Sequence, residues 1–241
     1  RNYRDLCGFK IVGITGSNGK TSTKDLVAGV LSARYRVQKT SGNYNAEIGI
    51  NYTICNFDEN IDVGVVEIGM ERMHEIEQLC EIVRPDIGII TNVGTAHLEN
   101  LGSQENIAKA KCELIDSLSK DSVFIYNGDD LYLMKEIKNH DLPKTVLSYG
   151  EKTYNDCILT SFNQNEKGIT FSTNLLSGIS TPLLGKHQAF NAMAALLVAK
   201  QLGLDDEEIR RGFTLVEPTK WRTQLEILGP CKVLNDVYKS N

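Results

Sequence analysis

No apolar run in this chain approaches the roughly 20 residues of a membrane-spanning helix, so stable membrane insertion is not expected. Basic residues are not in excess: 26 Lys and Arg stand against 31 Asp and Glu, a net charge of −5. That balance argues against nucleic acid or an anionic membrane as the main partner. The six cysteines (Cys7, Cys55, Cys80, Cys112, Cys157, Cys231) contain no C-x-x-C pair. Such scatter points to reduced thiols in the cytoplasm and not to a disulfide or zinc framework; each is read as a small buried hydrophobe. There is no internal repeat, no low-complexity segment and no N-K-x-D guanine signal after a strand. Nothing at the N-terminus reads as a signal peptide. The chain opens on Arg1 and stops at Asn241 with no terminating element, as expected of a piece of a longer protein. Its 241 residues suffice for one large α/β domain, or one domain and part of another.

Against those absences stands the run Gly13-Ile14-Thr15-Gly16-Ser17-Asn18-Gly19-Lys20-Thr21-Ser22. It follows the β-branched segment Ile11, Val12, Ile14 and opens a stretch with helical spacing of Leu26, Val27, Val30 and Leu31. Strand, glycine-rich turn, Lys-Thr and helix together cradle nucleotide phosphates, because the glycines let backbone N–H groups approach and the helix N-terminus favours an anion. Lys20 is expected to reach the β- and γ-phosphates, and the Thr21 hydroxyl to bind Mg²⁺. The usual G-x-x-x-x-G-K-T spacing asks for glycine at position 14, which here is Ile14. The core of the motif is therefore Gly16-Ser17-Asn18-Gly19-Lys20-Thr21.

Strands are expected at Lys10–Thr15, Val63–Ile68, Ile87–Asn92, Val123–Tyr126 and Thr145–Tyr149. Helices are expected at Lys20–Arg34, His74–Val83, Gln104–Ser119 and Asp130–Lys138. Buried β-runs separated by helices imply βαβ units, an α/β fold with a mostly parallel sheet covered on both faces. From Tyr154 to Leu184 the texture changes to Ile158–Phe162 and Ile169–Ser172, a small antiparallel addition turning at Asn165–Gly168. Helices His187–Leu202 and Asp205–Gly212 follow, with Asp205 as N-cap and Glu207 and Glu208 in the first turn. Pro218 marks a boundary, and Gln224–Val237 reads as strands opening another domain.

Ligands of such sheets gather beyond the carboxyl ends of the strands. There Glu67 ends an apolar strand, as a second Mg²⁺ ligand or as a helix cap. His97 lies in a glycine-containing loop after another strand, where a surface role is the plain alternative. Lys111 and Lys109 lie on the next helix, where a solvated face is the ordinary reading and is kept for Lys109. Asn43 and Asn45 sit in a Ser/Gly-rich loop, as turn formers or as substrate contacts. Asn191 is one turn into a helix, placed for an adenine edge or for a helix-end hydrogen bond. Trp221, the one tryptophan, is read as packing at a domain junction.

In order and spacing these segments resemble the ATP-dependent Mur ligases of peptidoglycan synthesis over nearly the whole chain. The resemblance rests on Gly16-Ser17-Asn18-Gly19-Lys20-Thr21, Glu67-Ile68-Gly69, Asn92 through His97-Leu98-Glu99, Lys111, Gly185-Lys186-His187-Gln188-Ala189-Phe190-Asn191, Arg222 with Glu226, and Asn235-Asp236. Thr23-Lys24-Asp25 and Thr40-Ser41-Gly42-Asn43-Tyr44-Asn45 look like the branch that adds D-alanyl-D-alanine. The chain departs from that branch at Ala46, Asn51, His74, Val237 and Lys239.

The resemblance implies a central ATP-binding domain over 1–217 and the start of a Rossmann-like C-terminal domain over 218–241. It also implies that the N-terminal domain that holds the UDP substrate lies outside this chain. It implies a cytoplasmic, monomeric amide ligase that joins D-alanyl-D-alanine to a UDP-muramoyl-tripeptide through an acyl phosphate. ATP contacts fall on Gly16, Ser17, Asn18, Gly19, Lys20, Thr21, Ser22, Asn191, Arg222 and Asp236, and substrate contacts on Asn43 and Asn45. Two Mg²⁺ sites involve Thr21, Glu67, His97 and a carbamylated Lys111; catalysis falls on Lys20, Lys111, Glu67 and His97. Related ligases with other acceptors, of folylpolyglutamate or cyanophycin type, and a non-catalytic ATP-binding regulator are the rivals.

Overall fold

The computed structural model describes residues 7–219, 224–229, 231–235 and 237. Strand β1 (Lys10–Thr15) is buried from Ile11 onward and is the third strand of a nine-stranded sheet. The sheet order is β2-β3-β1-β4-β5-β6-β7-β8-β9. Its members are β2 (Val37–Lys39), β3 (Val63–Glu67), β4 (Ile87–Ile90), β5 (Val123–Asn127), β6 (Thr145–Gly150), β7 (Cys157–Asn165), β8 (Gly168–Thr173) and β9 (Ile179–Thr181). Pairing is parallel from β2 through β7 and antiparallel for β7-β8-β9, as the change of texture after Tyr154 anticipates. The turn falls at Asn165–Gly168. Strands β10 (Gln224–Leu228) and β11 (Cys231–Asn235) form a separate antiparallel pair.

Side chains alternate across the strands, so each strand feeds two cores. Val12, Ile14, Val65 and Ile89 pack with helices α1 (Lys20–Leu31), α7 (Lys186–Gln201) and α8 (Asp206–Thr214). Ile11, Val66 and Ile90 face α2 (Glu47–Cys55), α3 (Glu75–Val83), α5 (Gln104–Asp116) and α6 (Leu131–Glu136). The short α4 (Leu98–Leu101) precedes α5. Ile14, which displaces the usual glycine, is a fully buried core residue of β1 in register with Glu67 and Ile89.

Several elements differ from expectation. Helix α1 stops at Leu31 and α5 at Asp116, both short of Arg34 and Ser119. The helix expected over Asp130–Lys138 is α6 followed by a 3-10 turn at Ile137–Asn139, with Asp130 as its N-cap. Helix α2 and strands β2 and β9 are additional. The cysteines are not all buried: Cys55 and Cys231 are exposed and Cys7 is intermediate, because α2 turns Cys55 outward from the face that holds Ile50 and Ile54. No helix among the described residues is long and apolar enough to cross a membrane.

Candidate functional site

Strand β1 lies between β3 and β4, so the chain's path reverses around it and leaves a crevice beyond its carboxyl end. The phosphate loop fills that crevice, and the exit of β4 braces it. Ser17 N–H donates to the Asn92 carbonyl at 2.9 Å and Asn18 N–H to Asn92 Oδ1 at 3.0 Å. Thr91 Oγ1 donates to the Asn18 carbonyl at 2.6 Å. Gly16 (φ +147°) must be glycine, since a Cβ there would stand 1.8 Å from Thr91 Oγ1. Gly19 (φ +81°) precedes α1, which starts without a side-chain cap. A helix start of that kind leaves N–H groups and the positive dipole end for an anion. Lys20 Nζ closes over the loop, donating to the carbonyls of Gly16 (2.7 Å) and Ser17 (3.3 Å). Ser17 Oγ is buried without a hydrogen bond among the described residues.

Glu67 ends β3 at 2% exposure and is neither solvated nor a helix cap. Its Oε2 accepts from Thr21 Oγ1 at 2.9 Å and its Oε1 from Asn45 Nδ2 at 2.8 Å, while Lys24 Nζ lies 3.9 Å from Oε2. Its own N–H donates to Thr40 Oγ1 at 3.1 Å. Among the described residues no group of three or more His, Cys, Asp or Glu could hold a metal alone. The Thr21–Glu67 oxygen pair beside a phosphate loop nevertheless fits Mg²⁺, which takes one or two protein oxygens and completes its shell with phosphates and water.

Lys111 lies in α5 at 1% exposure and makes no hydrogen bond or ion pair among the described residues. Burial, reinforced by repulsion from Lys20, holds its pKa well below the usual 10.5. The cause is desolvation: a buried ammonium without a counter-charge is penalised by several kcal/mol, so the amine shifts toward its neutral form. A solvated face is thus excluded for Lys111, whereas Lys109 on the same helix is exposed. His97, half-buried, holds a left-handed φ of +67° at the start of α4.

A cavity of about 1020 Å³ opens beside the loop, lined by Ser17, Lys20, Thr21, Asn45, Glu67 and His97 among others. A second, of about 390 Å³, lies on the other side of Asn18 and Gly19, with Tyr149, Phe190 and Asn191 in its wall. Asn191 lines both; it is buried, and its Oδ1 would lie 2.6 Å from a Cβ on Gly19. Its Nδ2 donates to Gln188 Oε1 at 3.0 Å, and Gln188 Nε2 donates to Ser22 Oγ at 3.4 Å.

The structure thus gathers Gly16 to Ser22, Glu67, His97 and Asn191 at one sheet edge, with Lys111 buried near enough to Lys20 to feel its charge. Asn45 is a partner of Glu67, and Asn43 is an exposed residue of the cavity rim. His187 is exposed on the first turn of α7, whose N-cap is Gly185. Arg222, Trp221 and Asp236 lie outside the described residues. Thr91, Gln188 and Thr40 go unremarked as contributors in the sequence. Gln188 has one local signal, its position one turn before Asn191 on the same helix.

Residues 14–199 match the family model described as Mur ligase middle domain. The chain is 37% identical over 244 residues to the UDP-N-acetylmuramoyl-tripeptide–D-alanyl-D-alanine ligase of Bacillus subtilis (strain 168), covering 99% of this chain and 52% of that protein. It superposes on MurF from Acinetobacter baumannii with a TM-score of 0.89 at 27% identity, over 99% of this chain and 53% of that one. For MurF ligase from Thermotoga maritima in complex with ADP the TM-score is 0.82 at 27% identity, over 99% and 56%. The chain spans about half the length of the curated relatives it matches. With this match across most of its length, the chain belongs to the Mur ligase family.

Proposed function

We propose that this chain is the ATP-binding part of a cytoplasmic ligase that adds D-alanyl-D-alanine to a UDP-N-acetylmuramoyl-tripeptide. Residues 1–217 are the central domain and 218–241 begin the next. The observation that carries the reading is the convergence of the phosphate loop and the Thr21–Glu67 pair on a cavity of about 1020 Å³, with Lys111 buried behind it, near enough to Lys20 for their charges to repel. That volume is at the top of the range of roughly 300–1,000 Å³ usual for small-molecule sites, enough for two reactants side by side. The relatives whose printed names state this reaction support the choice of substrates.

In such a reaction a substrate carboxylate attacks the γ-phosphorus of ATP, ADP departs, and the acyl phosphate so formed is opened by the amine of the dipeptide, releasing phosphate. The first step brings two anions together, so fixed positive charge must be present before they meet. Lys20 supplies it on the phosphate side, together with the N-terminus of α1; Arg222 is assigned to the same charge. Thr21 and Glu67 would hold one Mg²⁺, and His97 with a carbamylated Lys111 a second; bound there, the ions neutralise phosphate and carboxylate charge. Glu67 is held for that task from two sides, by Asn45 and by Thr40. The neutral amine favoured at Lys111 is the form that adds CO₂, and the carbamate replaces a repelled cation with oxygen donors. Asn191, wedged against Gly19, would meet the adenine, and Asn43, at the cavity rim, the peptide substrate.

The test is phosphate release by the full-length protein supplied with ATP, Mg²⁺, UDP-muramoyl-tripeptide and D-alanyl-D-alanine, separately and together. Release that requires both acceptor and dipeptide, with a UDP-pentapeptide product by mass, is expected. ATP binding without release in the complete mixture would overturn the assignment.

A further inference from the structure

A chain of buried charges runs away from the nucleotide site. Lys24, at 1% exposure, stands 3.9 Å from Glu67 Oε2 and 3.9 Å from Asp25 Oδ1, and donates to the Gly42 carbonyl at 3.3 Å. Asp25, at 2% exposure, accepts from Lys39 Nζ at 2.7 Å through Oδ1 and from the Thr219 N–H at 2.8 Å through Oδ2. Lys39 also donates to the Glu217 carbonyl at 3.3 Å. One turn farther along α1, the backbone of Val216 lies against Gly29, where a Cβ would come within 2.8 Å of the Val216 Cα. Residues four apart share a helix face. The segment 216–219 therefore runs along α1 from its C-terminal half toward the phosphate loop, pinned at Gly29 and again at Asp25.

We infer that Asp25 is a positioning residue: it fastens the segment 217–219 to the helix of the phosphate loop, so that the chain beyond Thr219 departs from a point fixed on that helix. The inference rests on the proposed ligase reading for its catalytic consequence. A buried carboxylate needs partners wherever it occurs, but a purely local ion pair would be satisfied by Lys24 and Lys39. The Thr219 N–H comes from 194 residues away in sequence and ties the carboxylate to the exit of the domain. Three residues of extended chain reach at most about 11 Å, so a residue as near Thr219 as Arg222 depends on where Thr219 is held. Misplacement of a reacting partner by about 1 Å lowers rates by up to ~100-fold.

The experiment compares full-length wild type with Asp25→Ala, Asp25→Asn and Lys39→Met. Three quantities are read: hydrogen exchange at the Thr219 amide, calorimetric affinity for a non-hydrolysable ATP analogue, and steady-state ligation. For Asp25→Ala the Thr219 amide should exchange at least ~10-fold faster, the loss expected when a hydrogen bond to a charged group is removed. Its kcat should fall about 10–100-fold while nucleotide affinity and the KM for ATP stay unchanged. Asp25→Asn keeps an oxygen for Thr219 and should recover most of both losses. Unchanged exchange in Asp25→Ala, equal defects in the Ala and Asn variants, or a kcat loss matched by lost nucleotide affinity would each overturn the inference. If Asp25→Ala does not fold, Lys39→Met, which frees Glu217 and half of the carboxylate, should still quicken exchange at Thr219; no change there would also overturn it. The exchange arm reports on the fastening even if the wild type forms no pentapeptide, so failure of the proposed reaction is a separate result.

Discussion

A lysine held at 1% exposure beside another lysine sets a measurable pH dependence. Its folded pKa lies well below the unfolded value near 10.5, so the folded state binds fewer protons between those two values. Stability of the unmodified protein therefore rises with pH through that window, is complete above 10.5, and is lost as pH falls toward the depressed value. Urea denaturation of Lys111→Met across the window should show a flatter dependence than wild type. In the full-length protein, ligation lost in Lys111→Ala should return with added acetate or propionate if a carbamate supplies the missing oxygens; no rescue would leave the lysine unmodified. Lys20, Thr21 and Glu67 are legible in the sequence because each sits in a motif or at a strand end, whereas Lys111, on a helix that reads as a solvated face, is singled out only by the family resemblance. Asn45, Thr91 and Gln188 are less so, because each acts on a group remote in sequence: the Glu67 carboxylate, the Asn18 carbonyl and the Ser22 hydroxyl. Thr21 and Glu67 are 46 residues apart and Asn18 and Thr91 73 apart, so no short spacing encodes these contacts.

Among the elements, those carrying continuous apolar runs are read well: β1 and α3 fall within a residue of expectation, and β4 loses only its two polar end residues, which leave the sheet to brace the loop. Helix α2 is missed for a physical reason. It starts at Ala46 with no side-chain cap, buries only Ile50, Thr53 and Ile54, and exposes Ile48 and Tyr52, so its apolar residues do not trace one stripe. Tyr52 instead meets Tyr44 edge-on, with ring centroids 5.8 Å apart. Helix α8 is the opposite case. Asp205 accepts from the N–H groups of Glu207 and Glu208, and the Glu208 side chain accepts from the Asp205 N–H, a complete capping box. Asp205→Ala is expected to remove about 1 kcal/mol. In a chain of this size that corresponds to a fall in Tm of about 2–4 °C, readable by calorimetry, with nucleotide binding untouched.

For the whole molecule, the decisive fact is that one sheet serves two cores. Cys157 lies in the core on the α1 face, and Cys80 and Cys112 in the core on the α5 face. Burial pushes the thiols of Cys80 and Cys157 up to about 12 and raises that of Cys112 further still. A thiol reagent should therefore label Cys55 and Cys231 in the native protein and spare these three. Because β1, β3 and β4 contribute side chains to both faces, neither layer can open without the other. The three thiols should become reactive together at one urea concentration; separate transitions would show that the layers unfold independently. The same sheet also ends in two strands of three residues each, β2 and β9. A border that short offers too few free N–H and C=O groups for a stray strand to zip onto. The nine-stranded sheet thus keeps a broad interior while offering only two short borders on which a fibre could grow.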